Sequence, residues 1–554
     1  MSVFIGYPSF MAYQMMKGKK GNNDGFPSIP GMIARYSALG LTNEQMATNP
    51  VWVDKTGNDH DLQMKNFAWK GMSGVGGYEY NFLSSDWVVG KVQLSEALSY
   101  KITIVDKKNE VQLFKYIRNE SENTIKITLK VTGIEINGCT FRVYDNASMS
   151  HTQDYKKDGI YQINYTATEG SDRIYFYVFG GNMGQLDNPI TIEQLPLYPG
   201  ALVFDGVDDY GTCDNFPVMT KEKGYTVVAL RQWDQDFLNT TLTGGLLSTR
   251  NYSTGEGVAF EKIESSNKGY WNLGAGGIID FAKSPFTWQT SKQYNNVGIL
   301  KGDKNHGKPL CVGCGLSGGQ QCGRFAIWEL VFLDHDATEE ELTKIKDYFV
   351  KTYPWLFPDQ AWTVVGKTNE DEDRATIANI TGNGNDLVCL NLGFIEGSGY
   401  NEEGEYAGYL VTDGVDDKIT SSTFEMGNDW TVIGDWELIN TGKNNNAGIV
   451  KFNSIVIYNY NPILINIKNG RNHLIPDQNT VNAICSDGRI YSKDWKESIY
   501  NEETESTSKN LLTIGYSGNS YTKIAFKNLA IYPTVLSKED CIKAYNYLQT
   551  LKAK

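Results

Sequence analysis

The same acidic motif occurs twice in the chain, as Asp205-Gly-Val-Asp-Asp209 and as Asp413-Gly-Val-Asp-Asp417. The copies supply two sets of carboxylates, Asp205, Asp208 and Asp209 in the first and Asp413, Asp416 and Asp417 in the second. Because Ca²⁺ prefers oxygen ligands, each set is a candidate calcium site. The alternative is a tight turn, in which glycine adopts a positive φ and aspartate bonds its own backbone. We favour the turn, since repetition fits folding as well as binding.

A second group of residues has the composition of a zinc site: His306, Cys311, Cys314 and Cys322. The second copy of the repeat tests this interpretation, because Leu310-Cys-Val-Gly-Cys314 aligns with Leu512-Thr-Ile-Gly-Tyr516, which has no cysteine. Both cysteines therefore occupy ordinary strand positions. Residues 311 and 314 differ by an odd number, so a regular strand would point them to opposite faces. A bulge could bring them together, but the sequence disfavours zinc.

Four carboxylates lie in the run Asn369-Glu-Asp-Glu-Asp-Arg374. Jelly-roll glycosidases use paired carboxylates, and their general acid must be buried to raise its pKa. This run precedes a Gly-Asn-Gly turn and contains no β-branched residue, which is typical of a solvated connector. No nucleophile–histidine–acid pattern and no phosphate-binding glycine loop is found. The sequence therefore predicts a protein that is not an enzyme.

Large aromatic residues are candidates for stacking against sugar rings, because they present apolar area at low entropic cost. We select four as tentative ligand-binding residues: Trp233, Trp271, Trp288 and Tyr458. The alternative for most of them is packing in a sandwich core.

The N-terminal segment combines aromatic residues, methionines and lysines and has no acidic residue before Asp24. One interpretation is a solvated tail. The other is an anchoring peptide that orders against a partner, with methionine as an adaptable apolar contact. In that case the anchoring residues are Phe4, Tyr7, Phe10, Tyr13, Met15 and Met16.

Internal repeats predict the elements that position these residues. Each acidic motif is followed by a β-rich run, and both copies close alike, with Glu329-Leu-Val-Phe-Leu in one and Asn528-Leu-Ala-Ile-Tyr in the other. An amphipathic helix follows in each copy, with apolar residues at helical spacing and a capping signal at Thr338 or Ser537. The repeats indicate a duplicated, strand-rich module that ends in a short helix.

A second repeat precedes each acidic motif, and it predicts an insertion. Asn66 and Ser73-Gly74 match Asn391 and Ser398-Gly399. The distance to the following acidic motif is much longer in the first copy, and the extra residues contain strand-like runs at 101–105, 112–117, 124–132, 140–144, 159–165, 173–179 and 190–197. Runs at this spacing indicate a small β-sandwich. The expected domains are an N-terminal segment at 1–35, jelly roll 1 at 36–82 and 200–357, an inserted β-sandwich at 83–199, and jelly roll 2 at 358–554.

Composition limits the classes of partner. The net charge of −14 argues against a nucleic-acid partner, which needs clustered lysine and arginine. No apolar run reaches the ~20 residues of a membrane span, and the N-terminus does not have the pattern of a signal peptide. The 8 cysteines indicate no disulfide framework. We therefore expect folding in a reducing cytoplasm.

The Thr381-Gly-Asn-Gly-Asn-Asp-Leu387 run, the glycine turn and Val-x-Asp-Gly-Val-Asp-Asp together resemble laminin-G-like domains of the concanavalin A-like superfamily. That resemblance implies an all-β protein with two jelly-roll β-sandwiches, each ending in a short helix, and it implies calcium as a cofactor of some members. The arrangement, including Leu202-Val-Phe-Asp-Gly-Val-Asp-Asp-Tyr-Gly, is also similar to virion proteins of crAss-like Bacteroides phages. There such modules form fibres and appendages of the head or tail.

The resemblance implies a phage virion structural protein that assembles in the host cytoplasm, binds other virion proteins, forms a homo-oligomer and recognises a host-surface glycan. No cofactor is required, and Ca²⁺ is the one candidate. A bacterial carbohydrate-binding or adhesion protein is the first alternative. A jelly-roll glycoside hydrolase is the second.

Overall fold

The structure is a computed structural model that describes residues 24–553 with internal gaps. The gaps lie at 86, 91–93, 98–99, 105–109, 118–122, 149–151, 182–185, 187, 218–224, 239, 250–258, 263–267, 273–276, 281–296, 301–308, 317–319, 403–405, 440–447, 453–454, 459–463, 468–470, 475–480, 500–509 and 518–519. All six anchoring residues of the N-terminal segment lie outside the described residues, as do Trp288 and His306.

The first jelly roll begins with four strands and a short helix, α1 (Asn43–Thr48), which Thr42 caps. The strands are β1 (Met32–Ser37), β2 (Val51–Trp52), β3 (Leu62–Lys65) and β4 (Gly74–Val75). Strand β2 pairs with β3. Strands β1, β3 and β4 also pair with strands that come more than a hundred residues later, as the predicted insertion requires.

In its described residues, the inserted sandwich comprises ten strands in two five-stranded sheets. They are β5 (Trp87–Gly90), β6 (Leu94–Ala97), β7 (Lys101–Ile104), β8 (Glu110–Tyr116), β9 (Thr124–Thr132), β10 (Thr140–Asp145), β11 (Thr152–Tyr155), β12 (Gly159–Thr166), β13 (Arg173–Phe179) and β14 (Ile190–Gln194). One sheet has the order β11-β10-β13-β8-β5, and the other has the order β12-β9-β14-β7-β6. The sequence missed β5, β6 and β11, which are short edge strands with too few residues to show alternation.

The first roll then resumes, with a short helix α2 (Gln235–Leu238) between two of its strands, and closes with helix α3 (Glu339–Thr352). Its later strands are β15 (Leu202–Asp205), β16 (Tyr210–Cys213), β17 (Tyr225–Trp233), β18 (Gly244–Ser248), β19 (Ala259–Lys262), β20 (Lys268–Asn272), β21 (Gly277–Asp280), β22 (Val297–Leu300), β23 (Leu310–Val312), β24 (Cys314–Leu316), β25 (Gln320–Cys322) and β26 (Arg324–Leu333). One sheet has the order β22-β17-β26-β15-β4 with β1 on β26, and the facing sheet begins β2-β3-β16-β23-β18.

The second roll repeats this plan without an insertion and ends in helix α4 (Lys538–Leu548). Its strands are β27 (Gln360–Thr363), β28 (Thr376–Ile377), β29 (Leu387–Leu390), β30 (Gly399–Asn401), β31 (Tyr409–Val411), β32 (Lys418–Phe424), β33 (Thr431–Leu438), β34 (Gly448–Phe452), β35 (Ile455–Tyr458), β36 (Leu464–Ile467), β37 (Arg471–Leu474), β38 (Val481–Cys485), β39 (Arg489–Ser492), β40 (Glu497–Ile499), β41 (Asn510–Ile514), β42 (Tyr516–Ser517), β43 (Ser520–Tyr521) and β44 (Ile524–Tyr532). The sheets have the orders β30-β31-β44-β33-β38-β39-β40 and β28-β29-β32-β41-β34-β35-β36-β37.

The helices that close the two rolls cover the outer faces of their sheets. Thr338 and Glu341 form the predicted capping box of α3, and Ser537 accepts the Asp540 N–H at the start of α4. Each helix buries its apolar stripe, as its 3.6-residue periodicity requires. One apolar core continues from Trp328 of the first roll through both helices to Tyr532 of the second. The rolls therefore share a core as well as a chain.

The predicted fold class is confirmed: the protein is all-β, with two jelly-roll sandwiches that each end in a short helix and a third sandwich inserted in the first. Strand β1 begins at Met32, inside the segment expected at 1–35, and it pairs with β26 of the first roll. The domain boundaries stay a prediction. None of the helices that the structure describes is long and apolar enough to cross a membrane.

Candidate functional site

The two acidic motifs form the same turn. In the first, Asp205 Oδ1 accepts the Val207 N–H at 2.7 Å, and in the second Asp413 Oδ1 accepts the Val415 N–H at 2.7 Å. Gly414 has a φ of 79°, and a Cβ there would lie 2.9 Å from the Lys523 backbone nitrogen. The turn therefore needs glycine at this position for its backbone conformation and for space.

The last aspartate of each motif is buried and joins the turn to the repeat that precedes it. Asp209 accepts from the Asp205 N–H at 3.1 Å and from the Ser73 hydroxyl at 2.9 Å. Asp417 accepts from the Asp413 N–H at 2.7 Å and from the Ser398 hydroxyl at 2.8 Å. These bonds explain why the two sequence repeats occur together.

Electrostatics distinguish these turns from ordinary ones. Burial and the charge of Asp205 raise the pKa of Asp209 to about 7, and burial also raises the pKa of Asp417. In each motif one oxygen from each of the three carboxylates lies within 4.8 Å of the others. The donor set fits a hard cation such as Ca²⁺. Hydrogen bonds of the turn nevertheless occupy both oxygens of Asp209.

The two copies differ at one atom. Among the described residues, Oδ1 of Asp417 is buried and has no hydrogen-bond partner, whereas Oδ1 of Asp209 accepts from Ser73. A buried carboxylate oxygen without a donor costs free energy. The second turn therefore retains an acceptor that a cation could use.

The cysteines do not form the zinc site that their spacing suggested. Cys314 and Cys322 are joined by a disulfide across β24 and β25, which the cysteine count did not predict. Cys311 is buried beside them, because the strand is interrupted between 311 and 314 and is not the regular strand that would separate the two cysteines. The reason is Gly313, whose φ of 99° breaks the strand between the two cysteines.

The acidic connector has no buried acid. Glu370 and Glu372 are exposed, and Asp371 accepts the Thr368 N–H at 2.9 Å in a local turn. A general acid needs burial to raise its pKa, and neither Glu370 nor Glu372 is buried.

Trp233 does not offer a face to a ligand. It is 2% exposed and packs against Phe237 and Phe325 in the first roll. All residues of its strand, β17, are buried because helix α3 covers one face of the sheet and the facing sheet covers the other. Trp271 and Tyr458 lie in strands β20 and β35. Their role, like that of Trp288, stays a prediction.

A different set of aromatic residues lies on the outer face of the inserted sandwich. We call this surface the aromatic face; it contains six half-buried side chains on strands β8, β10 and β13, namely Phe114, Tyr116, Tyr144, Tyr175, Tyr177 and Phe179. Strand alternation places them together, because the residues between them, such as Phe176, point into the core.

Tyr175 is at the centre of the aromatic face. Its ring stacks on that of Tyr144 with centroids 4.8 Å apart, and the Phe114 ring lies 5.2 Å away on the other side. Tyr177 stacks on Phe179 at 4.9 Å. The outer face of a sandwich is usually polar, so contiguous aromatic rings on this face indicate an interaction surface.

Two arginines border the aromatic face. Arg142 lies over the Phe179 ring at 4.7 Å and makes two 2.6 Å hydrogen bonds to Asp154. Arg173 lies 5.4 Å from the Phe114 ring centroid. The face therefore combines flat apolar area with phenol and guanidinium donors at its edge. This combination suits a ligand that has an apolar face and polar edges.

The sequence reasoning missed this face. The signal was present in Arg173-Ile-Tyr-Phe-Tyr-Val-Phe179, where aromatic residues alternate with aliphatic or aromatic ones. Both sets look like core residues, and only the sheet packing reveals which set points outward.

No protein-family model and no curated protein matches the chain in sequence. In structure, the chain is similar to Trypanosoma rangeli sialidase, with 8% identity and a TM-score of 0.26 over 89% of this chain and 92% of that one. It is also similar to the receptor binding domain of botulinum neurotoxin D, with 9% identity and a TM-score of 0.23 over 92% and 98%. These similarities are too low to assign a function.

Proposed function

We propose that the protein is a recognition module that binds a glycan through the aromatic face. The observation that carries the proposal is the cluster of half-buried rings around Tyr175 on the outer face of the inserted sandwich. Tyrosine supplies rigid, amphipathic contact area with few rotatable bonds. A sugar ring offers the complement, with C–H groups on its faces and hydroxyl groups at its edge.

Substituting Tyr175 tests the proposal. We expect Tyr175→Ala to weaken glycan binding by at least about tenfold, because it removes the central ring, a loss of about 1.4 kcal/mol or more. The measurement is a glycan array screen of the full chain, followed by titration calorimetry on the best ligand. Tyr521→Ala is the matched control, since Tyr521 is half-buried and pairs with Tyr516 at 4.8 Å in the second roll.

Two results would contradict this function. One is a wild-type chain that binds no glycan. The other is a Tyr175→Ala variant that binds as tightly as the wild type while remaining folded by circular dichroism.

We further propose that the module belongs to a phage virion, where it contacts other virion proteins. The shared core between the rolls supports this, because a continuous core lets an appendage project its binding face rigidly. A second candidate is a bacterial adhesion protein, which the Cys314–Cys322 disulfide favours, since disulfides persist in oxidising compartments. Proteomics of purified phage particles and of the bacterial surface separates the two. Absence of the chain from the particles would exclude the virion assignment.

We also propose that the second acidic turn binds Ca²⁺ through Asp413, Asp416 and Asp417. Support comes from the unpartnered Oδ1 of Asp417 and the close spacing of the three carboxylates. A bound cation would neutralise the negative charges of these three carboxylates, which the turn places close together.

Calcium should therefore raise the melting temperature of the wild type. We expect Asp417→Asn to abolish the calcium-dependent shift in a thermal melt, because the substitution removes a carboxylate from the site. Asp209→Asn is the matched control in the first turn, where hydrogen bonds already occupy both oxygens, and it should keep the shift. A shift that survives Asp417→Asn would exclude this site.

A further inference from the structure

A groove lies between the inserted sandwich and the second roll, and its walls come from strands β9, β12 and β14 on one side and from β33, β44 and α4 on the other. Its volume is about 280 Å³, just below the ~300–1,000 Å³ typical of ligand pockets. The sheet that lines it is not the sheet that carries the aromatic face. The groove is therefore separate from the site described above.

The charges in the groove cancel. Its lining includes three carboxylates and three lysines: Glu79, Asp435, Glu437, Lys126, Lys493 and Lys527. Lys493 pairs with Glu437, and Lys527 Nζ lies 3.6 Å from Asp435 Oδ2. Two of the three charge pairs are in contact, and the six charges sum to zero, so the lining has no net charge that would select an anion or a cation. A neutral ligand suits this lining best.

Two amide donors in the groove are buried without a partner among the described residues: Gln162 Nε2 and Gln549 Nε2. The orientation of Gln549 is fixed, because Lys527 donates to its Oε1 at 2.6 Å and leaves Nε2 as the free end. An unmade hydrogen bond from a buried donor costs about 1–3 kcal/mol. Both nitrogens have almost no open surface, so the oxygen of a ligand in the groove reaches them only after the side chains shift toward it.

Aromatic and hydroxyl groups complete the lining. Tyr409 and Tyr545 lie on the second-roll side, and the Tyr409 hydroxyl donates to Asp435 Oδ1 at 3.0 Å. Asp435 is itself buried, so its carboxylate is held in place. Fixed acceptors, free amide donors and ring edges in a neutral cavity match a ligand that carries many hydroxyl groups.

We propose that this groove binds a small neutral carbohydrate, a mono- or disaccharide, whose oxygens accept from the amides of Gln162 and Gln549. Because the groove lies between the inserted sandwich and the second roll, a bound sugar would stiffen the contact between these two domains. This second site goes beyond the proposed function, because it takes a small soluble sugar and does not use the aromatic face.

The test uses the full chain and two substitutions that remove the free donors. Gln162→Met keeps the length of the side chain, and Gln549→Glu keeps the oxygen that Lys527 contacts. A thermal melt of each variant shows whether it remains folded, so that a loss of binding is separated from a loss of structure. The probes are glucose, galactose, N-acetylglucosamine, maltose and lactose, with N-acetylneuraminic acid as the charged comparison. Binding of each sugar is measured by saturation-transfer NMR and by calorimetry.

We expect saturable binding of at least one neutral sugar, and we expect each variant to weaken it by about tenfold or more. Tyr175→Ala should leave this binding unchanged. Binding that the two glutamine variants do not affect, but Tyr175→Ala abolishes, would overturn the groove and leave the proposed function intact. No saturable binding of any neutral sugar at millimolar concentration would mean that the groove holds water only, and it would also overturn the inference. Stronger binding of N-acetylneuraminic acid than of every neutral sugar would contradict the neutral class.

Discussion

Replacing Arg35 with methionine is expected to destabilise the first jelly roll by about 3–5 kcal/mol, the usual cost of leaving one member of a buried ion pair alone. The Arg35 and Glu329 side chains are both fully buried, on the paired strands β1 and β26. Arg35 donates to the two oxygens of Glu329 at 3.1 and 3.2 Å. It also donates to Asp24 at 2.7 Å and to the Tyr348 hydroxyl at 2.9 Å, which connects the strand to helix α3.

The loss should depend on pH. Burial raises the pKa of Glu329, and the charge and hydrogen bonds of Arg35 oppose that rise. Without Arg35 the folded-state pKa of Glu329 would rise further above its unfolded value. A group of this kind loses its contribution to stability as the pH rises through the folded-state pKa. The Arg35→Met variant should therefore be more unstable at pH 8 than at pH 5.

The double variant Arg35→Met/Glu329→Gln is the control. It removes both charges, so it should regain most of the lost stability. The second roll provides a natural precedent, because the residue that matches Glu329 there is Asn528, which is buried and neutral. Hydrogen-exchange mass spectrometry of strands β1 and β26 is the appropriate measurement, since a chain of several domains need not unfold in one step. Equal exchange in wild type and single variant would show that the ion pair contributes nothing.

The duplication made most of the fold predictable from one sequence. Asn66 and Ser73 were separated from the first acidic motif by the insertion, yet their repeat as Asn391 and Ser398 revealed that they belong together. The structure gives the physical reason, since each serine hydroxyl donates to the last aspartate of its motif. Residues that make the same long-range contact in both copies show up as a repeat.

The proposed binding surfaces could not be predicted from the sequence, because burial is decided by packing between elements. Trp233 and Tyr175 are both large aromatic residues on long strands, and only the first is covered by a helix and a facing sheet. Similarly, the contacts of Gln162 depend on the way in which the inserted sandwich docks on the second roll. Neither the covering of Trp233 nor the docking of the inserted sandwich produces a periodic pattern in the sequence.

Replacing Asp145 is expected to weaken the inserted sandwich by about 3 kcal/mol, because this buried carboxylate serves several donors at once. Its Oδ1 accepts from the backbone N–H groups of Ala147 and Ser148 at 2.9 and 3.0 Å. Its Oδ2 accepts from the Tyr165 hydroxyl at 2.8 Å and from the N–H and hydroxyl of Thr168 at 2.9 and 2.8 Å. Asp145 ends strand β10, which carries Tyr144 of the aromatic face.

The sign of the pH dependence is opposite to that of Glu329. Burial alone would raise the pKa of Asp145, but the hydrogen bonds from Thr168, Tyr165 and Ser148 outweigh it and lower the pKa to about 2. The contribution of Asp145 to stability is therefore complete above the unfolded pKa near 3.8 and is lost as the pH falls towards 2. Asp145→Ala should remove this acid sensitivity from strands β10 and β12.

Thr168→Val provides the graded control, because it deletes one of the donors and leaves the carboxylate in place. It should cost about 1 kcal/mol, a single hydrogen bond, and retain the acid sensitivity. Hydrogen exchange across β10 and β12, measured between about pH 2 and pH 7 with correction for intrinsic rates, separates the two variants. Because β10 positions Tyr144 against Tyr175, Asp145→Ala should also weaken glycan binding, whereas Thr168→Val should not. If Asp145→Ala left both the exchange of β10 and the glycan affinity at wild-type values, the carboxylate would have no part in holding the aromatic face.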